Sequence, residues 1–132
     1  MQISDNFIKE IKAPSNHRVK MFLKDTRTCY QEEVNGVDRE TLDFKAAVFI
    51  ESAYKREVML LGLDWGEWFN QTLSEMSLCE IPLWLKKASL ADCLCCLTMI
   101  VRQSRFCDGS LARAISDGIV SALLVRLESL NS

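Results

Sequence analysis

The sequence is poor in residues that bend a chain, with five glycines and two prolines in 132 residues. So few breakers exclude collagen-like and linker-rich chains and count against β architectures with many turns. Histidine occurs once, at His17, so a Cys–His nucleophile pair or a histidine-rich metal set has one imidazole to draw on. No apolar run approaches the roughly 18 residues that span a bilayer. The longest, Cys93 to Val101, is nine residues with Thr98 inside it. The first twelve residues carry Asp5, Lys9, Glu10 and Lys12 where a signal peptide has its apolar core, which predicts a cytoplasmic location. A glycine-rich phosphate loop and a nucleophile-elbow serine are also missing. The expectation is a protein without catalysis, cofactor or metal.

What is present suits a packed domain. Apolar residues make up 48% of the chain and charged residues 26%, enough buried surface to offset the entropy of ordering. A chain this long buries roughly two-thirds of its unfolded surface and needs no staple. Six cysteines are too sparse here for a disulfide miniature, and in a reducing compartment they are free thiols.

The net charge of −2 hides a pattern. Residues 1–27 hold six basic and three acidic side chains, residues 28–80 four and eleven, and residues 81–132 six and four. The acidic middle is either a set of solvated helix faces or a docking surface for a basic partner. Glu32, Glu33, Asp38, Glu40 and Asp43 are the candidate patch.

Along the chain, Ser4 or Asp5 can cap a short helix that Pro14 ends. Residues 18–34 read two ways. Val19, Met21 and Leu23 alternate, as do Thr28, Tyr30 and Glu32, which suits a small β-hairpin; a helix from Asn16 to Lys24 fits equally. Asn35-Gly36 marks a turn. From Thr41 the period is helical, with Leu42, Ala46, Phe49, Ile50, Ala53 and Tyr54 on one face. Asp64 is placed to cap a helix opening Trp65-Gly66-Glu67-Trp68, and Pro82 suits the first turn of a short helix to Lys87. Ser89 caps the strongest helix, Leu90 to Ser104, apolar nearly all round and therefore central and buried. A short helix to Ser116, a break at Gly118 and a last helix from Ile119 to Leu130 complete the reading. The fold class is mainly α: one compact domain of five to seven helices, with its helical core in residues 41–132.

Three constellations bear on chemistry. Cys93 and Cys96 form a Cys-x-x-Cys, but inside a helix and without a second pair, so they read as core packing. Arg102 and Arg105 are three apart on one face, either clamping carboxylates within the domain or contacting an anion. Residues 110–127 have helix-turn-helix spacing, with Ala114, Gly118 and Leu124 in the diagnostic places. Its second helix offers only Ser121 and Arg126 for base contacts, which favours a buried hairpin.

From Trp65 and Trp68, through the Leu-rich helix, to Arg105-Phe106-Cys107-Asp108-Gly109 and a closing Leu-rich helix, the chain resembles a family of uncharacterised bacterial domains of unknown function. The resemblance covers about residues 44–130, leaves residues 1–40 outside as an N-terminal extension, and implies an all-helical domain with no established activity. In this motif Gly109 supplies backbone freedom at a helix junction, and Phe106 and Cys107 are expected to anchor that junction in the core.

The function these observations favour is non-enzymatic protein–protein interaction through the acidic surface. The expected partner is a protein with a basic surface, such as a nucleic-acid-binding enzyme. A mobile-element accessory or anti-defence inhibitor of the anti-CRISPR kind would work this way. The alternative is nucleic-acid binding through Arg102, Arg105, Arg113 and Arg126 or the 110–127 unit. Near-neutral overall charge weighs against direct nucleic-acid contact, and no membrane partner is expected.

Overall fold

The computed structural model describes residues 14–29, 38–60, 62–107 and 109–131. Among them are seven α-helices, one 3-10 turn and no strand. The helices are α1 (Asn16–Asp25), α2 (Arg39–Lys55), α3 (Trp65–Thr72), α4 (Ile81–Leu85), α5 (Leu90–Gln103), α6 (Ser110–Ser116) and α7 (Ile119–Asn131). The mainly α expectation and its upper helix count agree with this. The helix proposed near Ser4 falls outside the described residues.

Residues 18–29 are not a hairpin strand. Ser15 caps α1 by accepting a hydrogen bond from the Arg18 N–H, and Thr26 closes it, its hydroxyl donating to the Phe22 carbonyl at 2.8 Å. The period-2 alternation lost to a helical pair, Val19 and Phe22, which both bury. Phe22 meets Phe49 of α2 edge-on, ring centroids 5.4 Å apart. A 3-10 turn, Arg27–Cys29, follows, and the Cys29 thiol hydrogen-bonds to the Lys45 carbonyl on α2. Residues 30–34 of the proposed hairpin lie outside the described residues.

The centre is α5, as its sequence predicts. Ser89 caps it, accepting from the Asp92 N–H, and every residue from Cys93 to Val101 is buried. Helices α3, α6 and α7 pack around it. Helix α7 contributes Ile119, Val120, Leu123, Leu124 and Leu127, and also packs on α1, α4 and α6. Asp64 caps α3 as expected, placing Trp68 in the core against Trp84 of α4.

Two polar devices tie the periphery to this core. Thr98, the one polar residue within the buried run of α5, accepts a hydrogen bond from the Leu60 N–H at 2.9 Å and donates to the Leu94 carbonyl at 2.8 Å. It thereby fixes the chain between α2 and α3, where Val58, Met59 and Leu60 bury. At the surface end of α1, Asp25 accepts from the Arg56 Nε at 2.7 Å, from its Nη2 at 3.2 Å and from the Ser52 hydroxyl at 2.9 Å. The pair is about three-quarters shielded, with side-chain exposures of 25% for Arg56 and 26% for Asp25.

Thr98→Val should therefore cost about 1–3 kcal/mol, because it keeps the volume but leaves the buried Leu60 N–H without a partner. Thr98→Ser should retain most of the stability, and urea denaturation of the two variants separates the outcomes. Hydrogen bonds from Arg56 hold the Asp25 carboxyl below its ordinary range, against the opposing effect of burial. A depressed folded pKa means that stability is present above the unfolded value of about 3.9 and lost as pH falls through the folded one. Asp25→Asn should lower stability by about 1 kcal/mol at neutral pH. The difference from wild type should shrink in unfolding measured below about pH 4.

Candidate interaction surface and groove

The outer face of α2 carries a continuous stripe. Glu40, Phe44, Ala47, Glu51 and Tyr54 recur every three or four residues and all are exposed. Such spacing is one helical face, and here it alternates acids with aromatics. Phe44 is 65% exposed. At the C-terminal end of the stripe, the Arg105 guanidinium carbon lies 5.7 Å from the Tyr54 ring centroid. The next residue, Phe106, is 77% exposed and stacks on Trp65 with centroids 6.4 Å apart. Three elements thus bring Tyr54, Arg105, Phe106 and Trp65 into one aromatic–arginine cluster. Stacking a guanidinium and a ring on exposed aromatics holds them in place at little desolvation cost.

The structure redistributes the residues singled out from sequence. Glu32 and Glu33 lie outside the described residues. Asp38, Glu40 and Asp43 all sit exposed at the start of α2, but two have local duties. Asp38 caps the helix, accepting from the Thr41 N–H at 2.7 Å, and that bond lowers its pKa. Asp43 pairs with Arg39 at 3.1 Å. Glu40 is left with Glu51 as the acidic component of the face.

Phe106 and Cys107 do not anchor the core. Helix α5 ends at Gln103, and the chain turns outward before α6, so both lie exposed. Trp65, half-buried, supports Phe106 from outside, whereas Trp68 is fully buried. Neither Arg102 nor Arg105 forms an ion pair among the described residues. Arg126 donates from Nε to the Ala88 carbonyl at 2.8 Å and so serves within the fold. Arg113 is exposed on α6. The 110–127 unit is the buried hairpin, turned at Gly118 with φ +82°, and its second helix spends its apolar face on the core.

Behind the α5–α6 turn lies a groove of about 690 Å³, a volume typical of small-molecule sites. Its floor includes Phe69, Leu73, Met99, Ile100 and Ala112; Arg39, Gln103, Cys107, Ser110, Arg113 and Asp117 supply polar groups. Gly109, with φ +79°, has a specific reason to be glycine. A Cβ there would sit 3.2 Å from the Arg39 Nη2, so the bare backbone lets the guanidinium lie against the turn. Ser110 Oγ is buried with no hydrogen-bond partner among the described residues. Arg39, Tyr54 and Ser110 carry no sequence signal of their own. Arg39 meets Gly109 and Tyr54 meets Arg105 across 70 and 51 positions, and only the fold reveals these contacts.

The cysteines follow burial. Cys29, Cys93, Cys95 and Cys96 are buried, and Cys79 and Cys107 are exposed. Desolvation pushes Cys29 up to about 11 and Cys93 and Cys95 up to about 12, and raises Cys96 as well, which suppresses the reactive thiolate. No cluster of three or more metal-ligating side chains occurs among the described residues. In native protein a thiol reagent should label Cys79 and Cys107 rapidly. The other four should react only on denaturation; peptide mapping after a timed pulse checks this.

No helix among the described residues is long and apolar enough to cross a membrane. No curated protein and no solved structure matches the chain. A family of unknown function (DUF6508) matches residues 6–132, so its extent passes well beyond the 44–130 expected and takes in most of the N-terminal segment. By that match over nearly its whole length, the chain belongs to the DUF6508 family.

Proposed function

We propose that the protein works by binding another protein rather than by catalysis, and that the outer face of α2, continued by the aromatic–arginine cluster, is the docking surface. The observation that carries this reading is the exposure of Phe44 and Phe106 along a surface that also holds Glu40, Glu51, Tyr54 and Arg105. Aromatic and arginine side chains supply most of the energy in protein interfaces when a partner desolvates them. Exposed apolar groups in a charged setting are what an interface leaves uncovered in the free protein.

The complementary partner has a basic surface with apolar pockets. Its lysines or arginines would meet Glu40 and Glu51, and its pockets would take Phe44 and Phe106. A nucleic-acid groove on an enzyme has the required charge, and occupying it would inhibit that enzyme. In this form the reading includes an anti-defence role of the anti-CRISPR kind, in a cytoplasmic setting. Charge complementarity speeds encounter and makes it salt-sensitive, whereas the buried aromatics set the lifetime of the complex.

Affinity capture from host lysate with wild type and with two double variants tests this. Specific partners should be recovered by wild type and lost with both Glu40→Lys/Glu51→Lys and Phe44→Ala/Phe106→Ala. Capture by wild type should also weaken as salt rises, and circular dichroism should confirm that both variants fold. If every captured protein is retained by both folded variants, this face is not the interface.

A further inference from the structure

We propose that the exposed face of α1, with Arg27 beyond it, is a second interaction surface, one that binds the phosphate backbone of duplex nucleic acid without reading its sequence. This surface is distinct from the docking face on α2, and the inference does not depend on that reading.

The face is set by spacing. His17, Lys20 and Lys24 recur at three and four positions along α1, which is one side of a helix, and Arg27 follows three positions later in the 3-10 turn. All four side chains are exposed. None of them forms an ion pair among the described residues. Two described carboxylates come close, and both are engaged. Asp25 is held by Arg56 and Ser52, and Glu57 meets Arg18, which flanks the stripe, at 3.4 Å. Lys55, in the last turn of α2, is near enough to Asp25 to help lower its pKa, so a further exposed cation stands beside the end of α1.

The near-neutral charge of the whole chain is therefore an average over unlike surfaces. A phosphate backbone responds to the cations it meets at close range, because salt screens exposed charges beyond about 8–10 Å. From His17 to Lys24 the face runs about 10 Å at the helical rise. That length of duplex axis presents about three phosphates on each strand. Lys20, Lys24 and Arg27 supply one cation for each.

The make-up of the face selects phosphates over other anionic partners. Val19 and Phe22 of α1 are buried, and Met21 and Leu23 are half-buried, so the helix has no exposed large apolar side chain to sink into a membrane interface. The face also lacks Phe, Tyr and Trp, the anchors that hold a protein partner or stack on unpaired bases. Lysines act as hydrated point charges, and contacts of this kind to phosphate oxygens position a protein on a duplex without specifying sequence.

The test is fluorescence anisotropy of two labelled DNA duplexes of unrelated sequence, titrated with the intact chain at low salt. Both should bind with the same affinity, on the order of 10 µM at about 50 mM salt, and log K should fall with log salt at a slope of about −2.7 for three phosphates. Lys24→Gln should make that slope shallower by about one. Lys20→Gln/Lys24→Gln/Arg27→Gln should weaken binding at least about ten-fold while circular dichroism stays that of wild type. Lys86→Gln/Lys87→Gln, which removes two exposed lysines at the end of α4, should leave binding unchanged. The proposal is overturned by absence of duplex binding, by Lys24→Gln or a folded triple variant behaving as wild type, or by an equal loss in the Lys86/Lys87 variant. Binding to polyglutamate or to phosphatidylserine vesicles as tight as to the duplexes would also overturn it, in favour of an acidic protein or a membrane surface.

Discussion

A single hydroxyl inside the central helix organises much of this domain. Thr98 sits where α5 is buried on every side, and its oxygen both accepts from the Leu60 N–H and donates to the Leu94 carbonyl. The segment between α2 and α3 turns sharply and buries Val58, Met59 and Leu60 without a helix of its own to satisfy its backbone. A buried N–H must find a partner, and Thr98 provides one at the position where the segment crosses α5.

At the same, C-terminal end of α2 a second constraint is electrostatic. Asp25, Ser52 and Arg56 join α1 to the last turn of α2, and the packing of Phe22 on Phe49 completes the contact. With the C-terminal end of α2 anchored inward and Leu42, Ala46 and Phe49 packed on the core, the opposite side of the helix is left to solvent. Phe44 is exposed there even though Leu42, Ala46 and Phe49 of the same helix turn toward the core. The turn after α5 obeys the same logic. Its backbone closes through Cys107 and Ser110, the exposed Arg39 guanidinium lies against Gly109, and Phe106 stacks on Trp65. The groove and the docking face are thus two sides of one turn.

Helix boundaries were legible because their causes are local. Ser89, Asp64 and the Gly118 break act within a few residues, and the apolar run of α5 announces burial without reference to any partner. The acidic bias of residues 28–80 was legible too, but not which acids would be spent on a cap or an ion pair. The error over Phe106 and Cys107 has a clear origin. Apolar character predicts burial on average, whereas a two-residue apolar stretch at a helix end is exposed whenever the chain leaves the core there.

By itself, then, the sequence determined a helical domain, its caps, its buried α5 and the burial of the Cys93–Cys96 region, since each depends on periodicity or composition over a short window. Tertiary structure alone decided the rest. It converted the ambiguous 18–29 stretch into a helix by giving Val19 and Phe22 a common face to bury. It brought Arg105 to Tyr54, Phe106 to Trp65 and Arg39 to Gly109, partners separated by 41 to 70 positions that no local rule connects. Contacts of that separation arise only when packing has chosen which helices meet, and they join the local α2 stripe to the aromatic–arginine cluster.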